Sequence, residues 1–132
     1  MEIIYNNLLS VDDYCKLRKS VDFYDIPENV VRQALNKSDF VVTASINEIT
    51  VGMARLITDG TQVLIMDVVV HPDYQNKGIG KGLMERIKEY IVKMDKQHIL
   101  VNLLTDSTKI GFYEKLGYEK TEGMSLFLEQ KG

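Results

Sequence analysis

Between Phe40 and Val70 the chain passes through three stretches of β-branched and apolar residues, FVVTASI, ITVGMARLIT and VLIMDVVV, broken at Asn47-Glu48 and Asp59-Gly60. Runs of this kind separated by turn residues predict an antiparallel meander of three strands. The pattern stops at His71-Pro72, because Pro72 has no N–H for a ladder and pushes its predecessor into an extended conformation. A glycine turn, QNKGIG, comes next. After it Leu83, Met84, Ile87 and Ile91 recur at three- and four-residue intervals, with Glu85 and Glu89 facing solvent between them, which is the pattern of an amphipathic helix. A meander leading through a glycine turn into a helix places the chain in the mixed α/β class.

The flanks supply further elements. Ile3, Ile4 and Tyr5 suit a short strand. Ser10, with Asp13 three positions on, is a capping-box-like start for a helix that sets Val11, Tyr14, Cys15 and Arg18 on one side. Asp25-Ile26-Pro27-Glu28 opens a second helix with Pro in its first turn and an apolar stripe at Val30, Val31, Ala34 and Leu35. Beyond the glycine turn and its helix, HILVNLLT predicts a strand buried on both faces, and STKIGFYEKL a short helix closed by Gly117. Tyr118 to Thr121 and Ser125 to Leu128 predict a final strand or two.

With 132 residues, no repeat and no linker-like composition, residues 1–132 are expected to form a single domain. A chain near this size buries about 68–70% of its unfolded surface, enough for a core without disulfides or a structural metal. The net charge of −3 and pI near 5.4 argue against nonspecific nucleic-acid binding. Cys15 stands alone, and His71 and His98 lie far apart, so neither an internal disulfide nor a metal site at zinc-ligand spacing is expected. No apolar run approaches the roughly 18 residues of a membrane span, and the first residues do not resemble a signal peptide. A cytoplasmic protein is expected.

The strand, glycine turn and helix make an anion site, because the first N–H groups of a helix lack intrahelical acceptors and its dipole is positive there. Gly78, Gly80 and Gly82 allow close approach of the backbone. A P-loop is excluded: with four intervening residues the position before Gly80-Lys81 is Gln75, and Gly82 stands where Ser or Thr is needed. The dinucleotide fingerprint fails too, since Leu83 occupies its third glycine position.

Gln75-Asn76-Lys77-Gly78-Ile79-Gly80 resembles the Q/R-x-x-G-x-G/A pyrophosphate loop of the GCN5-related N-acetyltransferases, the GNAT superfamily. Its flanks, VVVHPDY before and Leu83-Met84 after, are similar to that family, and FYEKLGY from Phe112 to Tyr118 resembles its C-terminal motif. The resemblance is sharp from Val63 to Tyr118. It implies a GNAT fold: a mostly antiparallel sheet of six or seven strands with about four flanking helices, open between the strands of Val63–Val70 and Ile99–Leu104. It also implies acetyl transfer from acetyl-coenzyme A to a primary amine of a small molecule or peptide, by direct attack and without metal. A non-catalytic acyl-coenzyme A sensor or a regulatory module on the same fold is the alternative. Homodimers are frequent in the family.

The resemblance assigns roles residue by residue. The pyrophosphate is expected on N–H groups of Gln75, Asn76, Lys77, Gly78, Ile79, Gly80 and Lys81, with the two lysines as point charges. Val68, Val69 and Val70 are expected to pair with the pantetheine arm through backbone atoms, as an added strand does, with the Val69 N–H on the thioester oxygen. Tyr113 matches the general-acid tyrosine; a half-buried packing role is its plain alternative, and Tyr118 or Tyr24 could substitute. Phe112 adjoins it. Asp106 and Lys109 stand six and three positions before Phe112, where many members have Asn and Ala. Asn102 is a candidate to replace a lost pantetheine contact, and Ser107 or Lys109 to touch the phosphate end.

Asp67 is a carboxylate inside an otherwise apolar strand, and alternation puts it on one face with Val63, Ile65 and Val69. Three readings stay open: it orients the acceptor ammonium, relays its proton through water, or accepts hydrogen bonds from the neighbouring turn. Together with Asp12, Asp13, Asp22, Asp25 and Glu28 it hints at a cationic acceptor. His71 and His98 are read as surface or capping residues, and Cys15 as a small buried apolar one.

Overall fold

The turn residues end the strands where the sequence places them. In the computed structural model, which describes residues 2–94 and 96–129, β2 (Phe40–Ile46), β3 (Ile49–Thr58) and β4 (Gln62–Val70) form the expected meander. Asn47 and Glu48 both take positive φ, 49° and 67°, which is what a two-residue hairpin turn requires. β1 (Ile4–Asn6) adds antiparallel to β2, and β5 (Leu100–Leu103) adds parallel to β4, giving one sheet in the order β1-β2-β3-β4-β5.

Among the described residues, four α-helices flank this sheet. α1 (Val11–Ser20) starts at Ser10, whose hydroxyl accepts the Asp13 N–H at 3.0 Å. α2 (Glu28–Lys37) is preceded by Pro27 at the cap position, one residue earlier than expected. Both lie on one side of the sheet, where Tyr14, Leu17 and Val31 pack against Met53 and Val69. α3 (Ile79–Val92) covers the other side, burying Ile79, Leu83 and Ile87 against Val42, Leu56, Val63 and Ile65. α4 (Ile110–Lys115) follows a 3-10 turn at Ser107–Lys109 that Asp106 caps. Gly117 then takes φ 97°, as a helix-ending glycine should.

Two expectations fail at the C-terminal side. The sheet has five strands among the described residues, not six or seven, because residues 118–121 and 125–128 take no regular secondary structure and join no ladder. β5 is not buried on both faces either: Leu100 is 60% exposed. The reason is positional, since β5 is the last strand of the sheet and is bonded along one edge alone.

Candidate active site

β4 and β5 pair only from Gln62↔Leu100 to Ile65↔Leu103, so Met66–Val70 leaves the β5 side of β4 without a strand partner among the described residues. The sheet opens where the sequence reading put the opening. At the same place β4 carries a bulge: Met53 faces Val69 and Arg55 faces Met66, one residue more on β4 than on β3. Asp67 takes the left-handed φ of 54° that absorbs the extra residue. The bulge also breaks the alternation on which the face assignment rested. Val63 and Ile65 pack on the α3 side, whereas Val69 packs with Tyr14, Leu17 and Val31 on the other.

The Asp67 side chain, 6% exposed, is held from α1 and β3. Tyr14 Oη donates to Oδ2 at 2.6 Å, Arg18 Nη1 to Oδ1 at 2.5 Å and Arg55 Nε to Oδ2 at 2.8 Å. Of the three readings of Asp67, the geometry matches hydrogen-bond acceptance, with donors from distant elements instead of the neighbouring turn. Burial first, then the Asp67 hydrogen bond, pushes the Tyr14 phenol up to about 12. Arg18 donates through Nη2 to the Tyr24 carbonyl at 3.1 Å and lies over the rings of Phe23 and Tyr24, 5.1 and 4.9 Å from their centroids. Two guanidiniums against one carboxylate leave this cluster net positive, so it offers no free carboxylate to an ammonium.

Past β4, His71 Nδ1 accepts the Asp73 N–H at 3.1 Å, the capping role expected of it, and the chain makes a 3-10 turn at Pro72–Tyr74. Gln75 Nε2 donates to the Val70 carbonyl at 3.0 Å, tying the loop to the end of β4. Asn76 and Gly78 take positive φ, 65° and 80°, and α3 begins at Ile79 with no side-chain cap. Its N–H to C=O ladder starts at Gly82 N–H to Gly78 C=O, 3.0 Å, so Ile79, Gly80 and Lys81 present N–H groups without intrahelical acceptors. Lys77 and Lys81 are exposed beside them. Gly78 alone of the three glycines is needed for the turn's conformation. Gly80 lies under the Phe112 ring, and Gly82 is where the Tyr5 hydroxyl seats against α3.

Phe112 thereby brings α4 onto the first turn of α3. Tyr113, 7% exposed, shares the buried cluster of Ile65 and Ile79 and stands edge-on to Phe112 and Tyr118, at 4.9 and 5.9 Å between centroids. Burial first, then the neighbouring Tyr118 and Asp106, pushes its phenol up to about 12, so it is protonated at neutral pH. Asn102 sits on β5 with its amide on Gln62 Oε1 at 3.1 Å, and Lys109 directly precedes α4. Asp106 accepts from the Thr108 N–H at 2.9 Å and from its hydroxyl, so at this departure from the family pattern the side chain organises the start of α4.

Sequence reasoning missed the partners of Asp67. Arg55 carried a signal, a charge inside an apolar strand like Asp67 itself, and Arg18 lay on the buried stripe of α1.

The acetyltransferase (GNAT) domain model matches residues 36–120. The chain is 33% identical over 121 residues to an uncharacterised N-acetyltransferase, ycf52, of Gracilaria tenuistipitata var. liui, covering 86% of this chain and 64% of that protein. It is 39% identical over 70 residues to the chloroplastic GCN5-related N-acetyltransferase 2 of Arabidopsis thaliana, covering 52% of this chain and 26% of that one. The chain thus spans less than two thirds of the length of these curated relatives. Among solved structures, a protein of unknown function from meticillin-resistant Staphylococcus aureus, described as a probable acetyltransferase, superposes with a TM-score of 0.89 at 26% identity over 98% of this chain and 100% of that one. The open β4, the glycine loop and these matches agree: the chain belongs to the GNAT acetyltransferase family.

Proposed function

We propose that the chain, acting as one domain, is an acetyl-coenzyme A-dependent N-acetyltransferase that acetylates a primary amine of a small molecule or peptide. One observation carries the reading: the unpartnered edge of β4 at Met66–Val70 runs directly toward the uncapped N-terminus of α3. An unpaired strand edge is suited to the amides of a pantetheine arm, and free helix N–H groups to a pyrophosphate. Of Val68, Val69 and Val70, the arm would take the backbone groups that face the open edge, the Val70 N–H among them. The N–H groups from Gln75 to Lys81 would hold the phosphates, with Lys77 and Lys81 adding charge at the rim. Asn102 and Lys109 would contact the arm and its phosphate end from the β5 and α4 side.

In the reaction a neutral amine attacks the thioester carbon, the C–N bond forms and the C–S bond breaks. The charge that grows on the thioester oxygen would be stabilised by an N–H on the open edge of β4; Val69, the residue expected in that role, pairs with Met53 two positions from the His71 N–H that donates to the Val51 carbonyl, so its own N–H turns to β3. Tyr113 donates its proton to the departing sulfur, and the proton released by the nitrogen returns to the phenolate through solvent. Asp67 serves as a positioning residue: its three hydrogen bonds fix the bulge two residues before Val69.

The test is thiol release from acetyl-coenzyme A over a panel of amines, aminoglycosides and peptides. Tyr113→Phe is expected to lower turnover at least tenfold while the acetyl-coenzyme A dissociation constant stays unchanged. Binding without transfer to any acceptor would instead identify a sensor, and unchanged turnover would remove Tyr113 from the chemistry.

A further inference from the structure

The sheet opens a second time, at the edge away from β5. β1 ends at Asn6, opposite Thr43, so Phe40–Val42 of β2 run on past it with no strand on that side among the described residues. The Asn7 amide ties the chain to this stretch by donating to the Val41 carbonyl at 2.7 Å. Between the stretch and the second half of α3 lies a cavity of about 240 Å³. Phe40 and Val42 line it from the sheet, and the Phe40 ring stacks on Tyr90 of α3, 4.5 Å between centroids, as an aromatic wall. Arg86, Glu89 and Lys93 also line it, and their spacing of three and four residues puts them on one side of the helix.

These charges are not used up within the chain. Among the described residues, no carboxylate forms an ion pair with Arg86 or Lys93, and no cation forms one with Glu89. Arg86 is nevertheless held in place: its guanidinium lies 3.6 Å from the Tyr5 ring centroid and donates to the Gly82 carbonyl at 3.1 Å. Both contacts orient the cation and leave its charge intact. A half-buried guanidinium fixed in this way, with donors to spare, is suited to a carboxylate. A simple anion would meet Glu89 on the same side of the helix, and a simple cation would meet Arg86 and Lys93. A small zwitterion satisfies both signs. The volume sets its size, since pockets for drug-sized ligands run from about 300 to 1,000 Å³ and this one is smaller. We propose that the cavity binds a free α-amino acid with an apolar side chain, its carboxylate on Arg86, its ammonium on Glu89 and its side chain against Phe40, Val42 and Tyr90. Lys93 adds to the positive potential that draws the carboxylate in. The site lies at the opposite edge of the sheet from the open end of β4, and it does not depend on the acetyl-transfer reading.

Isothermal titration of the full chain with L-phenylalanine and L-leucine, without acetyl-coenzyme A, tests the site. Saturable binding is expected. Phenylacetate, which lacks the ammonium, and phenethylamine, which lacks the carboxylate, are each expected to bind roughly tenfold more weakly than phenylalanine. Arg86→Gln is expected to weaken phenylalanine binding by roughly tenfold or more. Glu89→Gln, at an exposed position, is expected to weaken phenylalanine binding while leaving phenylacetate binding no weaker. Aromatic NMR resonances then locate the ligand, with shifts expected at Tyr5, Phe40 and Tyr90 and none at Tyr14 or Tyr113. No binding of either amino acid at millimolar concentration, or equal affinity for the singly charged analogues, would overturn the proposal. So would indifference to both substitutions in chains with a native circular dichroism spectrum, or shifts at Tyr14 and Tyr113 in place of Phe40 and Tyr90.

Discussion

Asp67 would matter to the proposed transfer without touching the reacting atoms. Its carboxylate balances two guanidiniums whose side chains are 9 and 12% exposed, so neither cation can recover its hydration if the carboxylate is lost. Removing one member of a buried ion pair typically costs about 3–5 kcal/mol, most of it from the charge left behind. Asp67→Asn keeps the shape and removes the charge, and the expected loss in urea denaturation falls in that range. Tyr14→Phe removes one hydrogen bond to a charged group, for which about 1.5–3 kcal/mol is expected. The catalytic consequence separates positioning from proton transfer. With Asp67→Asn, turnover is expected to fall by a similar factor across the accessible pH range, because the bulge and the open strand edge that follows it are displaced at every pH. A selective change in one limb of the pH profile would return Asp67 to the role of base.

At the scale of elements, α3 is set against the sheet by the absence of a side chain. The Tyr5 hydroxyl of β1 seats on Gly82, and Arg86, one turn on, lies 3.6 Å from the Tyr5 ring centroid while donating to the Gly82 carbonyl at 3.1 Å. Gly82→Ala has two opposed effects. Helix propensity favours alanine by about 1 kcal/mol, whereas forcing a methyl into a filled contact typically costs 1–3 kcal/mol. Here the methyl meets the Tyr5 ring as well as its hydroxyl, and Tyr5 cannot move without leaving Arg86, so a net loss of about 1 kcal/mol is expected. In the Tyr5→Ala background the same substitution should become stabilising, which a double-mutant cycle by chemical denaturation measures. The glycine spacing that pointed to an anion site was thus partly a packing signal. Elements bounded by local chemistry were legible: Asn47-Glu48, Asp59-Gly60, Ser10 and Gly117 stop or start chain segments through their own backbone preferences. Features that depend on distant partners were not. The bulge at Asp67 needs β3 opposite it, the Arg18 and Arg55 contacts join three elements, and the strand expected at residues 125–128 joins no edge of the sheet. The glycine turn and the helix start behind it could be read because they are a backbone motif continuous in sequence, while the supports of Asp67 come from α1 and β3.

Across the whole molecule, the sheet separates two cores, and each contains a tyrosine that resists ionisation. Tyr14, 1% exposed, belongs to the α1–α2 side, and Tyr113, 7% exposed, to the α3 side. Burial is the first cause of both shifts to about 12. In the unfolded chain both phenols titrate near 10. A pKa raised on folding means that the folded state holds its proton more tightly, so this contribution to stability is fully present below pH 10. It is lost as pH rises from 10 toward 12. A two-unit shift corresponds to at most about 2.7 kcal/mol per group, comparable to a substantial part of a small domain's stability. The folded protein is therefore expected to lose stability steeply above pH 10, and ultraviolet titration should show part of the signal of its seven tyrosines, Tyr14 and Tyr113 included, appearing well above pH 10. Tyr14→Phe and Tyr113→Phe each remove one of these groups and should flatten the alkaline decline. Since the substitutions lie on opposite faces of the sheet, their effects on that slope are expected to add. The same high pKa keeps Tyr113 a proton donor throughout the range in which amines become neutral nucleophiles. Acetyl transfer should accordingly rise with pH toward 10 on the amine's own titration, and Tyr113→Phe should lower the whole curve without moving its rising limb.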